Sequence, residues 1–567
     1  MFTSLPQTAQ EITHWTWSQI EPYYQDLETR SLTAENVNDW LADWTSVAAR
    51  VSEMYARLHV ATNCDTTDAE AERRFNAFLE NIYPPVEAAE QKLKQKLLAS
   101  GLEPEGFDVP LRNMRAEADL FREANLPLLT QDRKLASEYD KIIGAQTIQW
   151  EGQELTLQQL RPVYQNTDRS LRERAWLLAA ERQLADRDAI NALWVKFLDV
   201  RRQLAANAER PDYRAYRWQQ MLRFDYTPAN CASFHQAIEQ VVVPAATRIY
   251  EKRRQRLGVS TLRPWDLDVD VLGRPPLRPF GTVDELERKA AAIFWLVDPQ
   301  LADYFETMRR EKLLDLGNRK GKAPGGYCTQ FQVAKRPFIF ANAVGLHDDV
   351  QTLLHEAGHA FHAFEASHLP YHQQWDVSME FAEVASMGME LLAAPYLPAQ
   401  EDSFYSEPQA ARARVEHLEG LILFWPYMAV VDAFQHWVYE NHAAATDAKN
   451  CDAKWAELWR RFTPGVDWSG LDNEMVTGWH RKLHIYHYPF YYVEYGLAQL
   501  GAVQVWRNAL EDQSDAVVHY RAALSLGGTV PLPELYAAAG AKFAFDAETL
   551  REVVALVENT IKELDAA

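Results

Sequence analysis

The run His355-Glu356-Ala357-Gly358-His359 constrains this chain more than any other feature. It is an instance of HExxH. It lies in a stretch, about residues 350–367, whose apolar positions Val350, Leu353, Leu354, Ala357, Phe361 and Phe364 recur at helical spacing. On a helix, residues i and i+4 stand one above the other. His355 and His359 therefore direct two imidazoles at one place, and Zn²⁺ takes such nitrogen ligands at about 2.0–2.1 Å. Glu356 lies about 100° further round the helix. From there it reaches a water rather than the metal, as the general base of a zinc peptidase does. The plain alternative is a surface helix with two unrelated histidines. The apolar stripe, and the lack of any proline before Pro370, argue against it.

A catalytic zinc usually has three protein ligands. The segment from Ser378 to Leu392 reads as a helix and carries Glu380, Glu383 and Glu390. Glu383 follows the second histidine by 24 positions, enough for the chain to turn and come back beside the first helix. It is the leading candidate. Glu380 and Glu390 lie near the same face, so spacing alone leaves all three open. A solvated helix face is the plain reading of each. His362 falls on the ligand face one turn beyond His359, too far along for the same ion, and reads as structural. Position 365 is Glu, so the HExxHxxGxxH pattern of the metzincins is absent.

HEAGHAFHAF followed by EFAEVASMGMELL resembles the oligoendopeptidase F branch of the thimet-oligopeptidase-like zinc metallopeptidases. Further blocks agree at residues 263–268, 323–328, 336–342, 434–439 and 489–496, so the likeness covers at least residues 200–510. The resemblance implies that His355, His359 and Glu383 bind one Zn²⁺ and that Glu356 is the general base. It implies that His484, Tyr488 and Tyr495 contact substrate and the developing oxyanion, with His487, Tyr491 and Tyr492 as alternatives in that cluster. Asp349 matches an acidic position that orients a ligand histidine. Family members enclose a substrate channel between helical lobes, which admits short unfolded peptides. Independently of any family, Pro489 suits the first position of a helix. That would set Tyr488, Tyr492 and Tyr495 near one face, where an ordinary aromatic core is the alternative.

The chain has 567 residues and only 23 glycines, with no Gly/Ser linker and no repeat. Helical periodicity dominates at residues 35–61, 67–98, 170–208, 228–257, 283–313, 409–444 and 547–565, and Thr282 to Glu285 reads as a capping box. The expected fold is mainly α: a large two-lobed zincin-type peptidase with a small β element near residues 327–345, beside the metal helix. The expected division is a helical lobe over 1–195 and a catalytic lobe over 196–567. Gly325-Gly326-Tyr327 and the strand-like residues 338–342 offer a backbone edge for an extended substrate, or a merely structural loop and strand.

A net charge of −22 argues against a nucleic-acid partner, which calls for a basic face. Cys64, Cys231, Cys328 and Cys451 are widely spaced and read as reduced thiols. The first residues lack the basic-then-apolar pattern of an export signal. The longest apolar stretch, residues 421–431, is too short for a membrane span and contains Pro426. The expected location is cytoplasmic, with oligopeptides as the partners. The expected activity is a zinc endopeptidase. A carboxypeptidase or peptidyl-dipeptidase is the first rival, with Lys335, Arg336, Arg481 or Lys482 to hold a terminal carboxylate. A peptide-binding protein with a structural metal is the second, and Glu356 speaks against it.

Overall fold

A computed structural model describes residue 2 and residues 4–398 and 403–566. The described chain is mostly helical, with one two-stranded and one three-stranded sheet. It forms two compact units, and each is discontinuous in sequence. One comprises residues 1–118, 277–413 and 497–543, the other 119–276, 414–496 and 544–567. Position 195/196 falls inside helix Arg187–Asn207, within the second unit. The units follow packing and not chain order.

In the first unit, helix Val37–Cys64 carries Trp40, Leu41, Trp44, Val47, Val51, Met54 and Leu58 on one buried face. These join Phe78, Leu93, Leu97 and Phe107 in one hydrophobic core. The same helix presents a buried carboxylate. Glu53 accepts from the amides of Val333 at 2.7 Å and Ala334 at 3.0 Å, and pairs with Arg57 at 2.8 Å. Those amides lie in the turn of a hairpin, Tyr327–Phe331 against Arg336–Ala343. Strand Arg336–Ala343 is central, with Leu314–Gly317 parallel on its other side, so Tyr327–Phe331 is a sheet edge. The expected β element is thus a hairpin joined by an unexpected third strand. Gly345, at φ 94°, leads out of the sheet towards helix His347–Ala366.

The second unit is built on helices Leu126–Gly144, Arg169–Leu184, Arg187–Asn207, Ala448–Phe462 and residue 414 onward of Glu407–Glu440. Pro426 lies inside that last helix. Trp194, Trp425, Trp455 and Trp479 are fully buried. Helix Pro228–Ala237 passes through a π-helical turn, Ile238–Val242, into Val243–Leu257. A hairpin, Thr147–Trp150 with Gln153–Thr156, turns through Glu151 and Gly152, both at positive φ.

Several expected helices are broken once. Residues 67–98 divide into Ala69–Asn81 and Tyr83–Ser100 ahead of Pro84-Pro85. Residues 170–208 divide at Ala185-Asp186. Residues 283–313 divide at Asp298, which caps the helix opening with Pro299. Proline restricts the preceding residue to extended backbone, and Asp298 sits at φ −164°. The Thr282 capping box is present.

Glu53→Ala removes an ionised acceptor from two hairpin amides and leaves Arg57 without its buried partner. It should lower the unfolding free energy by about 2–3 kcal/mol, read by denaturant unfolding. An unchanged midpoint would mean that water replaces the carboxylate without loss.

Candidate metal centre

Helix His347–Ala366 carries HEAGH, and helix Met379–Ala393 carries the three glutamates. They cross at the glycine of the motif. A Cβ built on Gly358 would lie 2.5 Å from the Ala385 carbonyl oxygen and 2.6 Å from Ser386 Cα. No side chain fits there, so the two backbones touch at this point. Tyr520 Oη donates to that same Ala385 carbonyl at 2.6 Å and fixes it from helix Gln513–Ser525.

The crossing brings three side chains together. One ligand atom each from His355, His359 and Glu383 lie within 4.8 Å of one another. Glu383 Oε2 is 3.4 Å from His355 Nε2 and 3.9 Å from His359 Nε2. Ser386 Oγ donates to the same oxygen at 3.0 Å. Glu390 lies 2.7 Å from His355 Nδ1 and orients that ring. Asp349 does not have the role that the resemblance implied. Its Oδ2 accepts from the amides of Val344, Gly345 and Leu346 at 2.8–2.9 Å, capping the helix where its positive dipole end favours an anion. Glu380 is buried on the same helix as Glu383, outside the three-residue group.

The electrostatics suit a cation. Burial alone would lower the pKa of His355, but hydrogen bonds to Glu383 and Glu390 outweigh it and push it up to about 10. Two carboxylates here call for positive charge. Burial lowers His359 to about 4, which keeps its imidazole neutral, the form that ligates metal. Two imidazoles and a carboxylate are a donor set that zinc accepts. Burial raises Glu356 to about 7, with the Glu383 charge adding to it and the His355 charge and the Cys328 backbone amide opposing. Glu356 therefore faces the edge strand. Burial and the Glu356 charge hold the Cys328 thiol well above its usual range. His362 is buried, and burial lowers it to about 3.

Among the described residues a second group, Cys231, Asp432 and His436, also has metal-ligand spacing. There Asp432 already lies 2.9 Å from His235 Nε2 and 3.3 Å from His436 Nε2, and all of these side chains are buried. Asp432 Oδ1 and His436 Nε2 are buried there without a hydrogen-bond partner among the described residues.

The late His-and-Tyr residues lie in the second unit. His484 belongs to the short helix Leu483–His487, and Tyr488 follows it at the C-cap, half exposed. Pro489 does not open a helix. Phe490 takes a left-handed φ of 65°, and the next helix starts at Tyr492. Arg223 donates to the Phe490 carbonyl at 2.5 Å, Gln435 accepts from its amide at 2.8 Å, and Arg201 donates to the Ile485 carbonyl at 3.0 Å. This buried frame sets a ring cluster in which the His484 ring centre is 5.0 Å from Tyr492, 5.9 Å from Tyr491, 6.0 Å from Tyr495 and 6.5 Å from Tyr488. Burial lowers Lys482 to about 7, with its Nζ 3.6 Å from the Tyr492 ring centre, and lowers His484 to about 4.

A family model described as peptidase family M3 matches residues 163–555, and one for the M3 N-terminal domain matches residues 9–107. The chain belongs to peptidase family M3. Its fold is close to a solved structure assigned to oligoendopeptidase F, at TM-score 0.86 and 29% identity over 97% of both chains. PZ peptidase A with an inhibitor is similar at TM-score 0.86 and 28% identity, over 99% of this chain and 98% of that one. An oligoendopeptidase F homolog from Mycoplasma pneumoniae is 25% identical over 309 residues, 50% of this chain and 48% of that protein. The match spans about half the length of such curated relatives.

Gly358 and Glu390 were not singled out for these roles by sequence reasoning. The small residue inside HEAGH, and a glutamate seven residues after Glu383, were the available signals. Gly358→Ala should force the helices apart and cut zinc affinity at least about tenfold, the scale of lost support around a metal. Zinc titration against a competing chelator reads this, and an unchanged affinity would show that the crossing tolerates a methyl group.

Proposed function

We propose that this M3 chain is a zinc-dependent endopeptidase that hydrolyses internal bonds of short unfolded oligopeptides. The observation that carries the reading is the convergence of His355, His359 and Glu383 within 4.8 Å, with Glu356 beside them. His355, His359 and Glu383 would hold the ion. When bound, zinc supplies a Lewis acid that acidifies water and polarises a carbonyl.

The chain's own groups do the rest. Glu356, with a pKa raised to about 7, takes a proton from the attacking water and returns it to the departing amine. Glu390 and Ser386 keep His355 and Glu383 in place. The edge strand Tyr327–Phe331 offers backbone groups to an extended peptide. His484, Tyr488 and Tyr495 are assigned to substrate and oxyanion contact on family grounds. Internal cleavage is favoured over the exopeptidase alternative because each of the four cations named for a terminal carboxylate already has a partner: Arg336 pairs with Glu311 at 2.7 Å, Lys335 donates to the Ser367 carbonyl at 2.8 Å, Arg481 donates to the Glu474 carbonyl at 3.2 Å, and Lys482 lies over Tyr492. Among the described residues no helix is long and apolar enough to cross a membrane. A cytoplasmic setting with four reduced cysteines belongs to the same proposal.

Glu356→Gln should keep one zinc per chain and lose turnover by a factor on the order of 10²–10⁴, while His359→Ala loses metal and turnover together. Metal analysis beside cleavage of an end-blocked quenched peptide reads both. Full turnover by zinc-loaded Glu356→Gln would contradict the scheme. Tyr495→Phe should lower kcat more than it raises KM. The reverse split would make Tyr495 a binding group only.

A further inference from the structure

In the second unit, helix Pro228–Ala237 and helix Glu407–Glu440 meet through two pairs of metal-ligating residues. Cys231 and His235 are four residues apart on the first, and Asp432 and His436 are four apart on the second. Each pair therefore stacks on one face of its helix. One ligand atom each from Cys231, Asp432 and His436 lie within 4.8 Å of one another. All four residues are buried, and Cys231 and Asp432 show no exposed surface.

Only one Asp432 oxygen is accounted for. Oδ2 lies 2.9 Å from His235 Nε2 and 3.3 Å from His436 Nε2. Oδ1 has no hydrogen-bond partner among the described residues, and neither has His436 Nε2. A buried carboxylate oxygen without a partner is costly, more so when it carries charge. A water there would supply hydrogen bonds but no charge. The helix is also irregular beside the cluster: a π-helical turn, Ile238–Val242, begins three residues after His235. Such turns recur at functional sites. Thiolate, imidazole and carboxylate presented from facing helices are a donor set for a divalent ion of borderline softness.

We propose that Cys231, Asp432 and His436 form a second cation site, for a thiophilic divalent ion of the zinc and cobalt class. His235 holds Asp432 through Oδ2 and leaves Oδ1 to the ion. Ligation takes the Cys231 proton, which passes to solvent, so that ion, thiolate and carboxylate sum to no net charge. It also places a proton on His436 Nδ1. Arg214, 3.4 Å from that nitrogen, then turns fully to Glu440, with which it is already paired. Neither cost arises at His355, His359 and Glu383. Zinc therefore fills that centre first, and this one takes an ion only when metal is in excess. The His436 ring centre is 5.1 Å from that of Phe490, and Gln435 accepts from the Phe490 amide. An ion here braces the turn that follows Tyr488.

The test is titration of the full chain, already carrying one zinc, with Co²⁺. The triad His355, His359 and Glu383 has no sulfur donor, so a thiolate-to-cobalt charge-transfer band reports the second site alone. The band should saturate at one Co²⁺ per chain, and the melting temperature should rise with it. Cys231→Ser should abolish the band. His436→Gln keeps the thiol and should weaken Co²⁺ binding at least about tenfold. Zinc content and the melting temperature without cobalt establish that each variant is folded, and should one fail to fold, the other carries the test. No band at excess Co²⁺ overturns the proposal. So does a band that persists in folded Cys231→Ser, which would belong to another cysteine, or an unchanged affinity in folded His436→Gln.

Discussion

The candidate centre depends on one helix crossing. Where Gly358 meets Ala385 and Ser386, the two backbones approach more closely than any Cβ would allow. Only at that separation can Glu383, from one helix, face the two imidazoles that the other helix stacks four residues apart. The same approach puts Glu390 on the far nitrogen of His355. The tyrosine that fixes Ala385 comes from a third helix, and the hairpin whose edge strand adjoins Glu356 is tied to a fourth through Glu53. Each contact is ordinary. Together they hold three donors and a base in one place, with burial setting which of them carries charge.

The charge pattern follows from this. Two carboxylates next to one imidazole form a site of negative excess, while half-buried His359 and buried His362 beside it remain neutral. The other cluster with metal-ligand spacing has the opposite arrangement, one carboxylate between two imidazoles. The carboxylate excess of the first calls for a divalent cation.

Much of this was legible in the sequence, and the limits have physical causes. HEAGH is readable because its geometry is local to one helix, and the Thr282 cap is readable for the same reason. Glu380, Glu383 and Glu390 could not be separated by spacing, since the choice is made by the angle and depth at which two helices cross. Asp349 was assigned to a histidine by family likeness, while the backbone amides at its own helix end had the nearer claim. The expected helix start at Pro489 failed because Phe490 turns into the left-handed region, held there by side chains distant in sequence. The hairpin at residues 147–156 has strands of four residues, too short to show alternation. The interleaved units left no trace at all, because chain order does not record which helices pack together.

The central claim is that one cation belongs among His355, His359 and Glu383. The most direct measurement is an anomalous-difference map at the zinc edge from crystals of the purified protein. The account predicts a single strong peak within coordination distance of those three side chains, with Glu356 beside it and not ligating. A protein that binds no metal, or a peak at Cys231, Asp432 and His436 instead, would contradict it.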